Sequence, residues 1–182
     1  MARKEILLSG SGGQGLILAG IILAEAAAVY DGANATHNPS YGPEARGGAS
    51  KSEVIISDEE IDYPEIAHPD ILLAMTQLAA DKYAGQLKEG GTLIVDPLFV
   101  KTIPENRAAK VVPIPLTEIA REEVGREMVA NVVAVGAITA LTGLVSREAA
   151  EKAVLSRVPK GTEEINRKAL LAGFAAGEKF RG

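Results

Sequence analysis

Gly10, Gly12 and Gly15 stand in the pattern G-x-G-x-x-G, read as Gly10-Ser-Gly-Gly-Gln-Gly15, behind a short apolar run and ahead of a long apolar segment. Glycines so spaced between a strand and a helix turn the chain tightly and aim backbone N–H groups, with the positive end of the helix, at a phosphate or other anion. Gly10, Gly12, Gly13, Gln14 and Gly15 are therefore candidate binding residues. The same glycines would also serve packing alone, bringing the first helix close to the sheet with no ligand. A nicotinamide dinucleotide needs in addition an acidic residue about 20 positions on, at the end of a second strand. Asp31 stands near that offset, but at a helix end and before a loop.

A second constellation is Asn38-Pro-Ser-Tyr41-Gly-Pro-Glu44-Ala-Arg46-Gly47-Gly48. Arg46 offers a rigid fork of donors suited to phosphate or carboxylate, and Tyr41 offers a ring and a hydroxyl among residues that let the backbone turn sharply. Tyr41, Glu44, Arg46 and Gly47 join the candidate set, because this loop follows the first helix and can fold back toward the glycine turn. An inward ion pair between Glu44 and Arg46, or a contact with a partner, is the competing use of the loop. Catalytic groups are scarce: there are two histidines, His37 and His68, and no Ser-His-Asp arrangement. No nucleophile and no metal ligand is assigned. Asn131, polar in an apolar helix, needs a hydrogen-bond partner at the glycine turn, on a nearby backbone group or in another chain. Asp96 ends a strand and is expected to cap the turn that follows.

The elements that must position these residues follow from the apolar pattern. Strands are expected at 5–9, 50–57, 70–75, 92–95 and 110–114, and helices at 14–30, 76–88, 116–124, 126–141, 146–157 and 162–180. The stretch 31–48, dense in Gly, Pro and Asn, is expected to be one long functional loop. Ser146 and Thr162 are expected N-caps. The βαβ rhythm predicts a single α/β domain over 1–182, three-layered, with a mostly parallel sheet and helices on both faces.

Composition narrows the function. Of 182 residues, 47% are hydrophobic but only 4% aromatic, so Ala, Val, Ile and Leu must build the core. A net charge of −5, from 19 basic and 24 acidic residues without long runs, offers no clustered basic face for nucleic acid. With no cysteine in the sequence, it can form no disulfide and no cysteine-ligated iron–sulfur cluster. The apolar stretches 16–24 and 128–141 are shorter than the roughly 20 residues of a membrane span, and no signal peptide is apparent, so a cytoplasmic protein is expected. The two strongly apolar helices, 14–30 and 126–141, suggest more burial than one small domain offers, and hence an oligomer.

Taken together, Gly10-Ser-Gly-Gly-Gln-Gly15, Tyr41-Gly-Pro-Glu-Ala-Arg-Gly-Gly48, the strand 50–57, Asp70-Ile-Leu-Leu-Ala-Met75, Tyr83, Gly90-Gly91 and Asp96 resemble the gamma subunit of 2-oxoacid:ferredoxin oxidoreductases, over nearly the whole chain. The 2-oxoglutarate type is the most similar; pyruvate, 2-oxoisovalerate and indolepyruvate enzymes carry related domains. The resemblance implies a complex with alpha, beta and delta subunits that converts a 2-oxoacid and coenzyme A to acyl-CoA and CO2, with ferredoxin as electron acceptor. Thiamine diphosphate, magnesium and 4Fe-4S clusters would lie on the partner subunits, and this chain would help seat coenzyme A. A purely structural subunit and a free-standing NAD(P)-binding oxidoreductase are the alternatives.

Overall fold

Strand β1 (Lys4–Gly10) buries Ile6 and Leu8 toward one side of the sheet and Leu7 toward the other, the near-continuous apolar run of a strand covered on both faces. The computed structural model describes residues 2–40 and 49–181. After β1 come a 3₁₀ turn (Gly12–Gln14), helix α1 (Leu16–Glu25) and a π-helical turn (Ala26–Tyr30). Then follow β2 (Asn34–Ser40), β3 (Ser50–Ser57), β4 (Ile71–Ala74), helix α2 (Gln77–Tyr83), β5 (Thr92–Val95) and β6 (Lys110–Pro113). Helices α3 (Leu116–Ile119), α4 (Ala130–Thr142), α5 (Arg147–Arg157) and α6 (Glu163–Glu178) complete the chain.

The sheet runs β2-β3-β1-β4-β5-β6. β1, β4, β5 and β6 are mutually parallel, and β3 is antiparallel to both of its neighbours. One core packs Ile6, Leu8, Leu73 and Ile94 against α1 and α3 to α6; the other packs Leu7, Leu72 and Leu93 against α2. The expected three-layer α/β architecture is therefore present, with most of the helical mass on one face.

Three expectations need correction. The stretch 31–48 is not one loop: β2 occupies 34–40 and pairs with β3 along its full length. Asn38 and Pro39 concealed it, yet proline is tolerated on an edge strand because one row of its amides has no partner to lose. Thr162 does not cap α6 with its side chain, since its hydroxyl donates back to the Pro159 carbonyl at 2.6 Å. Ser146 caps α5 as expected, accepting from the Ala149 amide at 3.0 Å. The burial argument for an oligomer fails for α4, which is enclosed by its own chain and buried from Ala130 to Ala140 between the sheet and its neighbouring helices, whereas the first helical segment leaves Val29 65% exposed. A helix apolar all round need only be central. Among the described residues, no helix is long and apolar enough to cross a membrane.

Candidate functional site

β1 ends at Gly10 and the chain turns through residues 10–15 into α1. Gly15 adopts φ 72°, a left-handed conformation that side chains disfavour, and a Cβ there would lie 2.7 Å from Asn131 Nδ2. The turn thus requires glycine both for its backbone and for the approach of α4. Ser11, Gly12 and Gly13 are exposed. The amides of Gly12 and Gly13 open the 3₁₀ turn, where N–H groups have no acceptor within the helix.

A crevice of about 360 Å³ opens above this turn. Ser11, Gly13 and Gln14 line it from behind β1, Thr76 from behind β4, Phe99 from behind β5, and Thr117 from behind β6; Glu127, Met128 and Ala130 close it from the approach to α4. Each of the four parallel strands contributes from its carboxyl end, where open parallel sheets form their ligand crevices. The turn after β1 leads to α1 on one face and the turn after β4 leads to α2 on the other, so the two connections part over the crevice. Met128, 86% exposed, and Phe99 give the rim an apolar character.

Below the crevice Asp96 is fully buried. Its Oδ1 accepts from the Leu98 amide at 3.0 Å, and its Oδ2 accepts from the Thr117 amide at 2.9 Å and the Thr117 hydroxyl at 2.6 Å. It caps its turn as expected and also ties the start of α3 to the end of β5. Glu127 is paired with Arg121 at 2.8 Å. Among the described lining residues there is one acid and no base.

The glycine-turn candidates come together at one place. Gln14, expected as a ligand contact, spends its carboxamide on the protein: Oε1 accepts from the Ser11 amide at 2.8 Å and Nε2 donates to the Met75 carbonyl at 3.1 Å. Tyr41, Glu44, Arg46 and Gly47 lie outside the described residues. Their flanks are at the site, because Ser50 pairs with Gly10 and Ser40 pairs with Lys51. Ser9 Oγ donates to the Ser50 carbonyl at 2.7 Å, and Ser50 Oγ donates to the Gly10 carbonyl at 3.2 Å. Neither histidine enters the crevice: His37 shares a 2.8 Å hydrogen bond with Ser52, and His68 Nδ1 meets the Gln86 carbonyl at 3.0 Å, near the start of β4. Thr76, Phe99, Thr117 and Met128 escaped the sequence reading. Only the position of each strand end, with Thr76 as the N-cap of α2, could have pointed to them.

This fold is found in known proteins. The chain belongs to the pyruvate ferredoxin/flavodoxin oxidoreductase family, whose model matches residues 5–176. It is 54% identical over 180 residues to the 2-oxoglutarate synthase subunit KorC of Methanocaldococcus jannaschii, covering 98% of this chain and 96% of that one. It superposes on the crystal structure of the keto/oxoacid ferredoxin oxidoreductase gamma subunit from Geobacter sulfurreducens with a TM-score of 0.90, at 54% identity, over 100% of both chains. The 2-oxoglutarate:ferredoxin oxidoreductase of Magnetococcus marinus, solved with 2-oxoglutarate, coenzyme A and succinyl-CoA bound, shares the fold. There the TM-score is 0.84 at 22% identity, and the match covers 98% of this chain but 32% of that one. Within the family this chain is a gamma-type subunit of a 2-oxoacid:ferredoxin oxidoreductase, one part of a multi-subunit complex.

Proposed function

We propose that this chain, acting as one domain over residues 1–182, serves a 2-oxoglutarate-type complex in the cytoplasm and seats coenzyme A over the 10–15 turn. The observation that carries the proposal is the crevice itself, lined by the exposed Gly13 of a turn whose first amides have no acceptor within its helix, where a phosphate would be met. Since the described lining holds no base, the remaining countercharge falls to Arg46, a few residues ahead of Ser50, which pairs with Gly10. The name of the Methanocaldococcus relative supports 2-oxoglutarate as the substrate, and the ligands of the Magnetococcus enzyme support coenzyme A.

The reaction is the conversion of 2-oxoglutarate and coenzyme A to succinyl-CoA and CO2, with electrons leaving to ferredoxin. Alpha, beta and delta subunits hold thiamine diphosphate with magnesium and the 4Fe-4S clusters, in keeping with a sequence that has no cysteine. The contribution of this chain is positional: holding coenzyme A so that its thiol reaches the reacting centre lowers the barrier without any covalent role.

The experiment is anoxic recovery of the tagged chain with its partners, followed by coenzyme A-dependent viologen reduction on several 2-oxoacids, for wild type and Arg46→Ala. The expected result is activity on 2-oxoglutarate, with the KM for coenzyme A raised about tenfold in an intact Arg46→Ala complex, the loss of one charged hydrogen bond. A second reading is favoured by the exposed Met128 and Phe99 at the rim: a docking surface, with coenzyme A held wholly by larger chains. It predicts that Arg46→Ala loosens the complex and leaves the KM for coenzyme A unchanged.

A further inference from the structure

Asn131 is 7% exposed at the start of α4, in a helix built mostly of Val, Ala and other apolar residues. Both of its polar atoms are used. Nδ2 donates to the Gly15 carbonyl at 3.2 Å, and Oδ1 accepts from the Val132 amide at 2.9 Å. The Gly15 carbonyl also accepts the first bond of α1, from the Ala19 amide at 3.1 Å. Asn131 therefore joins the starts of two helices through one carbonyl. On the other side of the turn, Gln14 joins the Ser11 amide to the Met75 carbonyl at the end of β4. The turn is held from α4 by one carboxamide and from the sheet by the other, while Gly12 and Gly13 stay exposed between them.

We infer that Gln14 and Asn131 are positioning residues for coenzyme A, which fix the 10–15 turn in the shape that presents Gly13 to the crevice. The inference rests on the coenzyme A reading above. Both side chains spend their polar atoms on the protein and act on the ligand only through the turn. A turn tied at only one side samples several shapes, and the ligand must then select one, which weakens binding in proportion to the population lost. Binding weakened equally in ground and transition states raises KM and leaves kcat alone.

The test uses three variants in the intact complex. A Cβ at Gly13 meets nothing within 4 Å, so Gly13→Ala adds a methyl group in open space at a residue that lines the crevice, without disturbing the fold. Gln14→Met and Asn131→Ala remove the two ties, and the melting temperature of each complex is recorded beside its kinetics. The expected result is a KM for coenzyme A raised about five- to tenfold in Gln14→Met and in Asn131→Ala, one hydrogen bond's worth each. The KM for 2-oxoglutarate and kcat at saturating coenzyme A should stay within about twofold. If Gly13→Ala raises the KM for coenzyme A and neither other variant does, the positioning role is overturned while the crevice reading stands. If Gly13→Ala has no effect either, the crevice reading itself fails. A fall of all kinetic constants in step with the melting temperature would reduce both residues to fold stabilisers and overturn the inference. Should Asn131→Ala fail to assemble, Gln14→Met decides by the same measurements.

Discussion

His37 shows how a residue that looks like chemistry can belong to the fold. Its ring lies between β2 and α1, sharing its Nε2 with Ser52 Oγ at 2.8 Å, against Gly20, where an added Cβ would fall 2.8 Å from that nitrogen. Burial disfavours the charged imidazolium and holds its pKa below the ordinary value of 6.5. The sign follows from linkage. Below pH 6.5 the unfolded chain takes up a proton that the folded chain resists, so the stability contribution of His37 is complete above that value and is lost as pH falls beneath it. The melting temperature of the isolated chain is expected to fall from pH 7 to pH 5, and to fall less steeply in His37→Gln, which keeps a hydrogen-bonding side chain but cannot titrate. Parallel slopes in the two proteins would mean that the ring is as easily charged in the fold as outside it. Asp96 carries the same lesson in reverse: its place at a strand end was readable, but its hold on Thr117, 21 residues away, was not.

At the scale of elements, the packing of α4 on α6 decides how closely the helical layer is built. A Cβ at Gly173 would fall 2.2 Å from the Val133 carbonyl oxygen, and one at Gly136 would fall 2.4 Å from that of Leu170, so the two backbones touch where side chains would normally separate them. Gly173→Ala must push these helices apart, at a cost of roughly 2–3 kcal/mol, or about 5–10 °C in melting temperature for a chain of this size. A shift under about 1 °C would show that the contact yields freely. This crossing was not legible in the sequence. Apolar periodicity announces two helices but not which faces meet, and a helical glycine reads only as a weak point. β3 and β5 were legible to the residue, because each is an apolar or alternating run bounded by turn residues. β2 was hidden by its Asn and Pro content. Of the candidate site, the glycine turn was legible since its parts are contiguous. The rest of the crevice comes from Thr76, Phe99, Thr117 and Met128, which only the order of the strands brings together.

At the scale of the whole molecule, strand order also decides against the nicotinamide reading of the glycine turn. A dinucleotide fold needs the strand after the first helix to lie beside the first strand and parallel to it, ending in the acid that holds the ribose. Here the strand after α1 is β2, at the sheet edge, and antiparallel β3 fills the place beside β1. Asp31, the one acid near the right offset, precedes β2 and is committed elsewhere. Its two carboxylate oxygens accept from the Ser146 amide and hydroxyl, both at 2.7 Å, which fixes the N-terminus of α5 to the end of the first helical segment. The turn therefore lacks the ribose recognition that makes a nicotinamide site. The isolated chain is expected to show no saturable binding of NADH or NADPH up to about 1 mM, an affinity near 4 kcal/mol, by cofactor fluorescence or calorimetry. Saturable binding well below that concentration would require a ribose contact outside strand β2, and would return the free-standing oxidoreductase to consideration.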